Sequence, residues 1–263
     1  MNTIFLALLT LTIFVFWDIL IRIKYIFSRK SIEKWVDIQF HRICNLLFSF
    51  TAFLVNVHIH FERPKELALP ETFLLVANHQ SIQDIPLLIW SFPNHELRFC
   101  AKDSLFRRVP MVSIMLRIQQ HGRIDRHGNA ADTLKTLERV ALKSKNGYCP
   151  VVFPEGTRSR DGNLGPFHLG AVRKMLSTNT LPVVTAAIEG GWRVGDVKGL
   201  IENMKDFNYQ VKILRVHEAP ETKKEIRDIL DKAYEDIEKQ LSAWREEERK
   251  VPKTSKGHHY KPY

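Results

Sequence analysis

The chain has 263 residues, of which 44% are hydrophobic and 26% charged, proportions that exclude a wholly disordered chain, a collagen-like chain and a polytopic membrane protein. Lys+Arg 39 against Asp+Glu 29 gives a formal net charge of +10, which fits an anionic partner, either nucleic acid or an anionic membrane surface, or else a basic but unspecialised surface.

Residues Met1 to Trp17 carry no charge. After Asp18, Ile19-Leu20-Ile21 extends the apolar run to about 20 residues, borderline for a bilayer span. No small-residue cleavage site follows, which disfavours a removable signal peptide. Arg22, Lys24, Arg29 and Lys30 come directly after, so the positive-inside rule places everything downstream in the cytoplasm. A second greasy stretch, from Ile43 to Leu54, is too short to span. It fits either a helical hairpin dipping into one leaflet or packing on the domain core. Residues 1–54 are therefore read as N-terminal hydrophobic helices that form a membrane anchor. Val55, Val57, Ile59 and Phe61 then alternate with polar residues, the period of a strand.

Strand and helix signals interleave from there on. Thr72 to Ala77 reads as a strand, Asp84 to Phe92 as a helix, and Leu97 to Ala101 as a strand. Asn129 to Lys145 is an amphipathic helix, Tyr148 to Phe153 a strand, Ala171 to Leu176 a helix, and Val183 to Ile188 a strand. Val211 to Val216 is the last strand. Glu221 to Glu248 is a long charged helix with Ile226, Leu230, Ala233, Ile237, Leu241 and Trp244 along one stripe. This alternation predicts an α/β fold: a single domain around a mostly parallel central sheet flanked by helices. Its bounds are read as 55–220, followed by an amphipathic helix over 221–250 and a polar tail over 251–263. Cys44, Cys100 and Cys149 are odd in number and widely spaced, so no disulfide framework or metal site is expected, and a reducing compartment fits.

Two segments carry the chemistry. Asn78-His79-Gln80-Ser81-Ile82-Gln83-Asp84 follows a strand and precedes a helix, where α/β proteins place reactive groups. A histidine base needs one ring nitrogen held by a carboxylate, and Asp84 is within reach of His79 across the turn. The competing reading is capping, with Ser81 and Asp84 as a capping box or Asp84 as the N-cap. Phe153-Pro154-Glu155-Gly156-Thr157-Arg158-Ser159 also follows an apolar strand. Gly156 allows a sharp turn, Arg158 offers a planar fork for phosphate, Thr157 and Ser159 add hydroxyls, and Glu155 could orient the arginine or a substrate hydroxyl. A surface turn with an exposed ion pair is the plain alternative. Neither a Walker loop nor a G-x-S-x-G elbow occurs.

Together the segments resemble the 1-acyl-glycerol-3-phosphate acyltransferases, whose signature is N-H-x4-D followed far downstream by F-P-E-G-T-R-S. Gly122-Arg123-Ile124-Asp125-Arg126, Ala101-Lys102-Asp103 and Leu181-Pro182-Val183-Val184 are similar to further blocks of that family. Departures fall at Arg123, His168 and Thr185-Ala186, and bear on the acceptor headgroup. The resemblance implies transfer of a fatty acyl group from a thioester to the free hydroxyl of a lysophospholipid. It implies His79 as base and Asp84 as its partner, with Glu155, Gly156, Thr157, Arg158, Arg126 and Lys102 at the acceptor. An oxyanion would be held by backbone amides near Gly156 or at the helix start after His79. No metal and no bound cofactor is implied; acyl-CoA or acyl-acyl-carrier-protein is the co-substrate. Expected partners are membrane lipids, the lysophospholipid and the thioester, not nucleic acid, with the enzyme on the cytoplasmic side of a membrane. Two alternatives stand beside this: a different lysolipid acceptor, and a membrane-anchored basic binding protein without activity.

Overall fold

The computed structural model describes residues 2–29, 31–55, 57–107, 109–125, 128–195 and 208–250. Arg126 and the tail 251–263 lie outside them. In chain order the elements are α1 (Asn2–Phe27), α2 (Ile32–Val55), β1 (His58–Glu62), β2 (Leu74–Ala77), α3 (Asp84–Ser91), β3 (Glu96–Arg98) and β4 (Cys100–Lys102). Then come α4 (Val112–Ile118), β5 (Gly122–Ile124), α5 (Ala130–Leu142), β6 (Tyr148–Val152), α6 (Leu169–Thr178), β7 (Val183–Glu189), β8 (Asn208–His217) and α7 (Lys223–Lys250).

Six strands form one sheet in the order β1-β8-β7-β2-β6-β3. All neighbours run parallel except β7 and β8. Parallel strands need helical crossovers, and these cover both faces, so the strands are apolar on both sides. Along β2, Leu75 and Ala77 join Leu87, Leu88, Phe92 and Cys44 on one face, while Leu74 and Val76 join Val140, Val172, Met175 and Leu230 on the other. The stripe on α7 is buried as its spacing predicts, from Ile226 to Trp244. The fold is thus α/β with a mostly parallel sheet flanked by helices.

The segment read as a single strand over Leu97–Ala101 is two strands in two sheets. β3 extends the main sheet beside β6, whereas β4 pairs with β5 in a separate ribbon. The break falls at Phe99, whose amide donates to His121 Nδ1 at 2.9 Å and whose carbonyl accepts from Gly122 at 2.8 Å. Long-range partners thereby override a continuous β-pattern.

The N-terminal helices pack on the domain. Ile21 of α1, Ile32, Val36 and Ile43 of α2, and Met111, Met115 and Ile118 form a shared core, with Trp17 and Trp35 ring to ring at 6.3 Å. Asp18, an interruption of the apolar run in sequence, faces inward: its Oδ1 accepts from the Met111 amide at 2.9 Å at the start of α4. Leu8, Leu11, Val15, Phe16, Ile19, Ile23, Ile26 and Phe27 are exposed on the opposite side of α1. Among the described residues, no helix is long and apolar enough to cross a membrane.

Candidate active site

The site begins where β2 ends. Asn78 closes the strand by bonding both ways with β7: its Nδ2 donates to the Ile188 carbonyl, and its Oδ1 accepts from the Ile188 amide, each at 2.8 Å. The chain then turns off the carboxyl edge of the sheet at His79.

Asp84 is the first residue of α3 and is fully buried. Its Oδ2 accepts from His79 Nδ1 at 2.7 Å, from the Gln80 amide at 2.6 Å and from the Ser81 amide at 2.9 Å. Its Oδ1 accepts from the Tyr209 hydroxyl. A carboxylate offers about four lone-pair sites, and four donors converge on this one, three at Oδ2 and one at Oδ1. The N-cap of α3 is Gln83, which makes no side-chain cap. Asp84 therefore folds the preceding turn around its carboxylate and holds the histidine in the same act. With Nδ1 donating to Asp84, the lone pair of the ring lies on Nε2. The His79 side chain is 17% exposed, so the ring is sheltered yet accessible.

The loop after β6 clamps this turn. Phe153 stacks on the His79 ring at 4.1 Å between centroids and 11° between planes. Glu155 Oε1 accepts from the His79 amide at 2.7 Å, and Oε2 accepts from the Gly165 amide at 2.8 Å. The Ser159 amide donates to the His79 carbonyl at 2.8 Å. Both peptide groups of His79 are thus held by a segment more than seventy residues away, which fixes the ring's origin as well as its tilt. Burial pushes the Glu155 carboxyl above its ordinary range, against the two amide bonds that pull it down. Of the two roles that the sequence offers Glu155, a bond to Arg158 is not made: its oxygens accept from the His79 and Gly165 amides.

Gly156 turns the loop with φ +66°, a conformation that side chains resist. Gly156, Thr157 and Arg158 are exposed beyond it, and Arg158 Nη1 donates to the Gly195 carbonyl at 3.3 Å. Lys102 is exposed at the end of β4, in the separate ribbon. His79, Asp84 and Glu155 are therefore joined directly, whereas Lys102 has no bond to them. Of the amides in these two turns, those of Gln80 and Ser81 donate to Asp84 and that of Gly156 donates to the Phe153 carbonyl at 3.0 Å. Sequence reading missed Tyr209, since the last strand begins at Asn208 and not at Val211. It also missed the stacking of Phe153, for which an aromatic next to a strand end gives no signal. Among the described residues, no three His, Cys, Asp or Glu side chains converge as metal ligands.

The family model described as Acyltransferase matches residues 56–189, just over half of the chain and the whole span from β1 to the end of β7. The chain belongs to the acyltransferase family. Among its relatives, the 1-acyl-sn-glycerol-3-phosphate acyltransferase of Cocos nucifera is 30% identical over 130 residues, 48% of this chain and 41% of that protein. That of Limnanthes douglasii is 32% identical over 125 residues, 46% of this chain and 43% of that protein. The chain thus spans less than half the length of these relatives. A probable 1-acyl-sn-glycerol-3-phosphate acyltransferase of Mycoplasma pneumoniae is 26% identical over 80% of this chain and 81% of its own length. The crystal structure of the 1-acyl-sn-glycerophosphate (LPA) acyltransferase PlsC from Thermotoga maritima shares the fold, with a TM-score of 0.68 at 22% identity over 93% of this chain and 95% of that one.

Proposed function

We propose that this acyltransferase moves a fatty acyl group from a thioester to the free hydroxyl of 1-acyl-glycerol-3-phosphate, giving phosphatidic acid. The observation that carries the reading is the His79–Asp84 pair, locked at the sheet edge by Glu155 and Phe153. An alcohol is a weak nucleophile at neutral pH, and a base must take its proton as attack proceeds. His79 Nε2 accepts that proton while the hydroxyl oxygen bonds to the thioester carbonyl carbon. Asp84 stabilises the imidazolium that forms. Collapse of the tetrahedral intermediate breaks the carbon–sulfur bond, and the proton on Nε2 leaves with the thiolate. The ester and a free thiol result, with no acyl group on the protein. Arg158, on the exposed arm of the loop, binds the acceptor phosphate, assisted by Lys102 and Arg126. The donor is acyl-CoA or acyl-acyl-carrier-protein.

Both lipids stay in a membrane, so the enzyme works at its surface. The exposed apolar side of α1 supports attachment within one leaflet, and the net positive charge adds attraction to anionic headgroups. The test is headgroup profiling of detergent-solubilised protein, with each thioester donor in turn. Lysophosphatidate should be the fastest acceptor; faster acylation of a lysolipid with a larger headgroup would replace it, and salt-dependent nucleic-acid binding without acyl transfer would remove the enzyme reading altogether.

A further inference from the structure

Three of the four donors to Asp84 come from its own turn: the His79 ring and the amides of Gln80 and Ser81. They shape the turn around the carboxylate but move with it. The fourth, Tyr209, comes from β8, 125 residues further along the chain and outside the stretch matched by the family model. Its ring is 2% exposed and belongs to the main core, opposite Ile59 of β1. Rigid packing at one end and a charge-assisted bond at the other make it a strut between the sheet and the carboxylate.

The surroundings reinforce this strut. A Cβ on Gly191 would stand 2.7 Å from the Tyr209 hydroxyl oxygen, 2.9 Å from Asp84 Oδ1 and 3.1 Å from Ser81 Cβ. Only a residue without a side chain lets the hydroxyl and the carboxylate meet there. Burial and the neighbouring Asp84 charge hold the phenol proton on well above the ordinary tyrosine range, so the group remains a donor at every working pH.

We propose that Tyr209 is a positioning residue, whose hydroxyl fixes the Asp84 carboxylate against β8 and thereby aims and tunes His79. The inference rests on the reading of His79 as the base. The hydroxyl dipole drains part of the negative charge of Asp84. Without it, the carboxylate stabilises the imidazolium more strongly, and His79 holds its proton to higher pH. Among the described residues, the titratable groups bonded to His79 are Asp84 and, from the loop after β6, Glu155; Glu189 of β7 is engaged by Gln80, Trp192 and Arg245.

The test uses the full chain in detergent micelles, with lysophosphatidate and acyl-CoA as probes, and compares wild type, His79→Ala, Tyr209→Phe and Gly191→Ala. Phenylalanine keeps the ring and its packing. For Tyr209→Phe, kcat should fall about 10-fold, far short of the roughly 10⁴ that follows loss of the orienting carboxylate's function in a Ser-His-Asp triad. KM for both substrates should stay within about twofold, since only the proton-transfer geometry changes. The acid limb of the kcat/KM profile should move to higher pH, and the NMR titration of the His79 ring should move the same way. Gly191→Ala, which wedges the pair apart, should reproduce these shifts, and it decides the matter if Tyr209→Phe does not fold. Wild-type kcat and an unmoved acid limb in Tyr209→Phe would overturn the proposal, whatever happens to its melting temperature. Failure of wild type to transfer acyl groups, or an active His79→Ala, would instead sink the functional reading, and the ring titration would still judge the strut.

Discussion

At the scale of single residues, Asp84 does two jobs with one carboxylate. It gathers the amides of Gln80 and Ser81 and holds the His79 ring. Asparagine can stand at a helix start, but in place of a carboxylate it offers one acceptor and two donors to four donors. Asp84→Asn should therefore lower kcat by up to about 10⁴-fold, the scale set by a misassigned histidine tautomer, and lower the melting temperature as well. Steady-state rates and thermal unfolding of the purified variant check both. A rate within threefold of wild type would reduce Asp84 to a shaper of the turn.

At the scale of elements, the join between α2 and β3 is held by a buried ionic cluster. Arg98 of β3 is 1% exposed, bonds Asp37 at 2.8 Å and Glu33 at 3.4 Å, and has Tyr148 under its guanidinium at 4.0 Å. Asp37 also accepts from Gln119 at 2.7 Å. Asp37→Ala leaves that arginine without its closest partner, and should cost about 3–5 kcal/mol by urea unfolding, the range for breaking a buried pair from one side. A loss below about 1 kcal/mol would mean that Glu33 alone suffices. Beside this cluster, His121 receives the Phe99 amide, and burial pushes its ring down to about 3. A pKa lowered in the fold means that its stability is present above about 6.5, the unfolded value, and is lost as pH falls from there towards 3. Melting temperature should drop across that window, and drop less in His121→Asn, which keeps an acceptor but cannot titrate. Equal slopes would place the acid lability elsewhere.

These same elements show what a sequence displays and what it hides. The α7 stripe and the long apolar strands were legible because periodicity survives in a single segment. The split at Phe99 and the ribbon β4–β5 were not, because His121 and Gly122 decide them from about twenty residues away. In the site, His79, Asp84 and Glu155 could be named from their motifs. That Glu155 binds backbone amides, and that Tyr209 reaches Asp84, depends on strand order and left no local trace.

At the scale of the whole molecule, one side of α1 faces the core and the other is apolar and exposed, while the chain carries a formal net charge of +10. Truncating residues 1–30 would strip Trp17 and Ile21 from the core, so the surface is better tested by substitution. Replacing Ile19, Ile23, Ile26 and Phe27 with serine should leave the fold intact and make attachment to phosphatidate-containing liposomes salt-sensitive, because charge alone is screened within about 8 Å at physiological ionic strength. Salt-resistant flotation equal to wild type would locate the anchor elsewhere. The central claim is that His79 takes the proton of the acceptor hydroxyl. It is tested most directly by single-turnover transfer of a labelled acyl group from acyl-CoA to lysophosphatidate, in wild type and in His79→Ala. The account predicts a fall of about 10²–10⁴-fold in the transfer rate of a folded variant, as for loss of a general base, and no label on the protein at any time. Transfer at a near-normal rate without His79, or label trapped on the wild-type chain before acceptor is added, would contradict it.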